Sequence, residues 1–190
     1  MRCNTQLIIL RLGFVVLCAA LGIAAWWLNG FVFERFEVVE GVNLIYWPHG
    51  LRVVLTILFE RYAAIGLSLG AYAVAGIIWP DNWLMKCFAP LISGCSAYLA
   101  MRLLLPKSAD MSGRLRGLTP SVLIAIGTVS ALLNAGGHTL LRIFSGIESD
   151  HGQEFAAMLL GDLLGALALL YLLKFLIHLA QQITRTILRK

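Results

Sequence analysis

Met158-Leu-Leu-Gly-Asp-Leu-Leu-Gly-Ala-Leu-Ala-Leu-Leu170 is an apolar run broken by one carboxylate, Asp162. The chain around it is 59% hydrophobic and 13% charged, with a mean hydropathy of +0.83. A soluble fold has too little polar surface in such a chain, so the run reads as part of a membrane helix. An acidic group there costs about 2.5–3.5 kcal/mol on insertion scales, and it therefore turns toward a protein interior and a partner. Asp162 thus marks the polar interior of a helix bundle.

Working outward, the 190 residues divide into apolar stretches of the length a bilayer demands, roughly 20 residues per helix. Six spans are expected: 7–33, 41–59, 62–79, 83–105, 120–144 and 155–180. The second is interrupted by Pro48 and Gly50, and the fourth carries Pro90 as a kink. Thr119-Pro120 supplies an N-cap and a first-turn proline for the fifth. The fold class expected is an all-α polytopic membrane bundle in a single domain, with no room for a soluble catalytic or output domain. The basic N-terminus resembles a signal peptide, but its apolar stretch continues to Phe33 and reads as an uncleaved first helix.

Loop charges orient the spans. Arg2, Arg61, Arg102, Lys107, Arg114, Arg116, Arg185, Arg189 and Lys190 fall on one side, and Glu34, Glu37, Glu40, Asp81, Glu148, Asp150 and Glu154 on the other. Basic loops stay in the cytoplasm, so both termini are expected inside. The net charge of +5 gathers at helix ends and forms no aromatic-interleaved basic surface, so no nucleic-acid partner is expected. Cys3, Cys18, Cys87 and Cys95 contain no Cys-x-x-Cys pair, which points to neither a disulfide framework nor a metal site.

The candidate site assembles from three stretches. Asn134, His138 and Arg142 recur at i, i+4, i+8 and share one helix face. Asp162 enters the last span by a depth that matches His138 and leaves Arg142 within reach. Asn43-Leu-Ile-Tyr-Trp-Pro-His-Gly-Leu-Arg52 adds Asn43, His49 and Arg52, because irregular backbone at membrane depth is tolerated only inside protein or beside a water-filled cavity. These seven residues are the expected ligand-binding set, in the outer half of the bundle. Asp162 is expected to pair with Arg52 or Arg142. Two arginines against one carboxylate favour a small anionic or polar ligand, or a lipid head group. Haem held by His49 and His138 ranks far below this, and no cofactor is expected. Lys174 and His178 read as snorkelling groups, and the five tryptophans as interfacial belt residues. Gly66/Gly70 and Gly161/Gly165 are small-xxx-small pairs suited to close packing within the chain.

Trp47-Pro48-His49-Gly50-Leu51, the apolar residues after it, and Gly161-Asp162-Leu163-Leu164-Gly165 resemble the bacterial membrane-associated sensor domains of the first MASE class. Leu170-Tyr171 stands where that family usually has a proline. The resemblance implies a non-enzymatic, sensor-like or ligand-binding module of a bacterial inner membrane, without the cyclase or kinase that usually follows. The alternatives are an accessory subunit bound to a membrane-protein partner and a small-molecule transporter or its substrate-binding subunit. No nucleophile–base pair, zinc motif or phosphate loop argues for an enzyme.

The charge pattern predicts that single cysteines replacing Glu37, Asp81 and Asp150 react with an impermeant thiol reagent in intact cells, and that one replacing Gly113 is protected. Labelling at position 113 would overturn the orientation.

Overall fold

A computed structural model describes the backbone of residues 2–33, 35, 37–39, 42–105 and 119–188. The basic loop expected from Lys107 to Arg116 lies outside the described residues, as do Glu34, Glu40, Arg189 and Lys190. Among the described residues six α-helices form: α1 (Arg2–Phe33), α2 (Pro48–Phe59), α3 (Arg61–Ile78), α4 (Trp83–Leu104), α5 (Pro120–Phe144) and α6 (His151–Leu188). A short antiparallel hairpin, β1 (Glu37–Val39) and β2 (Val42–Asn43), separates α1 from α2. Helix starts follow local chemistry. The Asn82 side chain accepts from Met85 N at 3.0 Å to open α4, and Thr119 Oγ1 accepts from Val122 N at 3.3 Å to open α5.

Among the described residues five helices are long and apolar enough to cross a membrane, and α2 is not one of them. The side-chain distribution is inverted relative to a soluble protein. The interior is built largely from Ala63, Ala64, Ala75, Ala89, Ala97, Ala100, Ala131 and Ala135, whereas Phe31 and Phe144 are exposed by 86% and 78%. In water such a surface would drive aggregation. In a bilayer the lipid tails cover it, and small residues let helices approach closely. The chain is a membrane-embedded helix bundle.

The glycine pairs work inside this bundle. A Cβ on Gly66 would strike the backbone of Val15 in α1, and one on Gly70 would sit 2.7 Å from Ala19 O. Helices α1 and α3 therefore run side by side in the same direction. Phe14 stacks near Phe59 with ring centroids 4.7 Å apart, and Arg11 lies over Tyr62, so the end of α2 returns to the end where α1 starts. Gly94 of α4 abuts the Ser68 backbone of α3, and Ser93 of α4 meets His138 of α5, which fixes α4 between them.

The second span departs from expectation. Instead of one helix interrupted at Pro48 and Gly50, residues 42–46 are extended or bent and the helix begins at Pro48. Proline suits a first helical position, where its missing N–H has no partner to lose, so it starts α2 and does not break it. Gly50 makes no bend. It lets α2 touch α6, since a Cβ there would lie 2.9 Å from Ala166 Cα and from Leu169 Cβ. Pro90 is accommodated within a continuous α4.

Gly161 and Gly165 face the extended segment: a Cβ on them would collide with Asn43 O and with the Tyr46–Trp47 peptide. Gly161→Ala and Gly165→Ala should each destabilise the protein by about 1–3 kcal/mol through overpacking. Gly136→Ala in α5, with no atom within 4 Å of the new methyl, should be neutral or stabilising. Thermal unfolding in a fixed detergent checks the contrast.

Candidate functional site

Six of the seven expected residues, Asn43, Arg52, Asn134, His138, Arg142 and Asp162, line one cavity of about 90 Å³. His49 is fully buried and lies against Asp162, with Nδ1 3.3 Å from Oδ2. The cavity is framed by the α2 amino end, one face of α5 and α6, which the sequence points to, and also by α1, α3 and α4, which it does not, through residues such as Gly22, Val74 and Ala89. Gly127 O lies 3.4 Å from His49 Nε2. A carbonyl only accepts, so Nε2 carries a proton. Nδ1 and Oδ2 would repel if both were bare in this apolar interior, so a further proton belongs to the His49–Asp162 couple, which is net neutral wherever that proton sits.

The expected pairing of Asp162 with an arginine does not form. Asn134 Nδ2 donates to Asp162 Oδ2 at 2.7 Å, and His49 is the ionisable contact. Arg142 is instead held by Glu154, with Nη2 2.8 Å from Oε1 and Nε 3.0 Å from Oε2. The cause is local. Arg142 is in the last turn of α5, and Asp150, accepting from Gly152 N and Gln153 N, caps the start of α6 so that Glu154 falls in its first turn. The short connection brings two buried groups into a bidentate pair. Glu154, taken from the sequence as a solvated loop acid, is 2% exposed.

Arg52 therefore faces the cavity without an acidic partner at hydrogen-bond distance. Its Nη2 donates to Tyr46 Oη at 3.1 Å, its guanidinium lies 5.1 Å from the Tyr46 ring centre, and its Nη1 has no partner. Asn43 Oδ1, Asn134 Oδ1 and Asp162 Oδ1 are also buried without a hydrogen bond. His138 Nε2 is 2.9 Å from Ser93 Oγ, and its ring is 6.3 Å from Trp79. Tyr46, Ser93, Trp26 and Trp79 are also among the lining residues. The sequence reading missed all four as site residues. Tyr46 was accessible through its place in the Asn43–Arg52 segment. Trp26 and Trp79 were assigned to the interfacial belt, whereas Trp27 and Trp83 are exposed as belt residues would be.

Lys174 and His178 are exposed on α6, away from this cavity. Cys18, Cys87 and Cys95 are free thiols. Among the described residues no three His, Cys, Asp or Glu side chains converge as a metal ion would require. No protein family, curated protein or solved structure matches this chain.

Breaking a buried pair strands the remaining charge and costs about 3–5 kcal/mol. Arg142→Gln and Glu154→Gln should each lower the melting temperature, and the double variant should recover part of the loss. A double variant as unstable as the sum of the two singles would show that the pair is not coupled.

Proposed function

We propose that this protein is a non-enzymatic, sensor-like membrane module that binds a small anionic or polar molecule in the cavity that Arg52, Asn134, His138 and Asp162 line. One observation carries the reading: Arg52 is a buried cation whose Nη1 has no partner, beside a cavity lined by further polar side chains. Arg142 is neutralised by Glu154 and the His49–Asp162 couple is internally balanced, so the excess charge at the cavity is that of Arg52. An anionic group answers it. The likeness of the Trp47–Leu51 and Gly161–Gly165 motifs to MASE-type sensor domains supports the same class.

The accompanying topology is six crossings with both termini in the cytoplasm, in a bacterial inner membrane. Helix α2 alone is about 18 Å long, short of the roughly 30 Å hydrocarbon core. The extended residues ahead of it add about 13 Å, so the composite segment has the reach of a span. Its direction supports this, because Asn43 and Tyr46 abut Gly161 and Gly165 while Phe59 reaches the Phe14 end of α1. The cavity then falls in the outer half of the membrane.

The test is gentle purification followed by mass spectrometry of released small molecules and of co-purifying chains. A small acid retained by the unaltered protein and by Lys174→Gln, but lost from Arg52→Gln and reduced in His138→Ala, is the expected result. A stoichiometric partner chain with no retained small molecule would replace this reading with that of an accessory subunit.

A further inference from the structure

We infer that the molecule bound in this cavity is a small acid carrying hydroxyl or ammonium donors next to its carboxylate, and not a bare anion. The inference rests on the anion-binding reading above and deepens it. It comes from the kinds of polar atom that the cavity residues leave without a hydrogen bond. One is a donor, Arg52 Nη1, and three are oxygens: Asn43 Oδ1, Asn134 Oδ1 and Asp162 Oδ1.

The assignment is chemically constrained at Asn134 and Asp162, which carry the argument. Asp162 Oδ2 can be approached at 2.7 Å by the amide of Asn134 only through its NH₂ group, which leaves Asn134 Oδ1 as an acceptor whichever way the side chain is first drawn. Asp162 Oδ1 belongs to the same carboxyl group and lies close to Asn134. Buried polar atoms in folded proteins almost always find partners. A plain carboxylate would satisfy the guanidinium and leave the oxygens unanswered. A molecule with donors on the atom next to its carboxylate answers both sets. Its acid group meets Arg52 and its N–H or O–H groups meet the Asn134–Asp162 oxygens.

Size narrows the class further. About 90 Å³ is below the cavity of about 150 Å³ that takes up benzene, and well below the roughly 300 Å³ at which drug-sized pockets begin. Hydroxy acids and amino acids of two or three carbons match it. Their common chemistry is the proposal, and the choice between hydroxyl and ammonium is read from the experiment.

The full chain in lipid nanodiscs is titrated calorimetrically with acetate, glycolate, glycine and ethylamine. One charge-assisted hydrogen bond corresponds to about a ten-fold change in affinity. Glycolate or glycine should therefore bind roughly ten-fold tighter than acetate, and ethylamine should not bind. Tighter glycolate identifies the donor as hydroxyl, and tighter glycine identifies it as ammonium. Arg52→Gln should abolish binding of every acid, and Asp162→Asn should reduce the better acid to the level of acetate. Acetate binding as tightly as both, with the same dependence on Arg52, overturns the donor inference and leaves the anion seat standing. Binding of no acid, or binding undisturbed in Arg52→Gln, overturns both. The comparison of acids on the unaltered protein decides the matter even if Asp162→Asn fails to fold.

Discussion

The hydrogen bond from Tyr46 N to Gly161 O, 2.9 Å long, is the contact on which the rest of the site depends. Extended backbone in an apolar bundle must find partners for its N–H and C=O groups, because lipid supplies none. A helix carbonyl has two lone pairs and can serve its own helix and a neighbour together. That is workable only if the neighbouring chain comes close enough, and at Gly161 and Gly165 any side chain would block it. The resulting register seats Gly50 against Ala166, which puts His49 beside Asp162 and Arg52 over Tyr46. The positions of Asn43, Tyr46, His49 and Arg52 follow from this backbone approach.

Charge is then partitioned between two places with different chemistry. Near the α5–α6 connection, Arg142 and Glu154 satisfy one another in two hydrogen bonds and fix how the helices meet. Deeper in the bundle, Arg52 leans on a tyrosine ring and hydroxyl, and the carboxylate of Asp162 is shared between an amide and an imidazole. Tyrosine can stabilise a guanidinium without neutralising it, through its ring face and its oxygen lone pairs. The positive charge is held in place while remaining available.

Much of this was legible in the sequence. The helix limits at Phe33, Trp83, Pro120 and Phe144 followed from apolar length and from Thr119 as a cap, which are local effects. The inward set was readable because an eight-residue helical period and one buried acid leave few ways to orient α5 and α6. What the sequence hid was partner choice. Arg142 is equally placed, by helical spacing, for Asp162 or Glu154. Only the tight 145–150 connection and the Asp150 cap bring the second within 3 Å. Likewise, Pro48 signals a helix start and a helix break with the same letters, and the β1–β2 pairing before it, made by two very short strands, leaves no hydrophobic alternation to detect. Tryptophans are ambiguous for a related reason: an amphipathic ring suits a bilayer interface and a cavity wall alike, and Trp79 takes the second role beside His138.

The contrast between the two charged places bears on why the deeper one exists. A buried ion pair that only fixes helix register needs to be internally satisfied, because every unanswered buried polar group costs about 1–3 kcal/mol. Arg142 and Glu154 meet that condition. The cavity does not, for a guanidinium nitrogen and three side-chain oxygens remain unpartnered around one small space. Register alone does not explain it, since apolar residues of similar volume would pack α2 against α6 at no such cost. Gly161, Gly165 and Gly50 already supply the close approach that register requires. The proposed binding of a small polar molecule would account for this residual polarity where register does not, and the satisfied pair of Arg142 and Glu154 joins α5 to the start of α6 beside it.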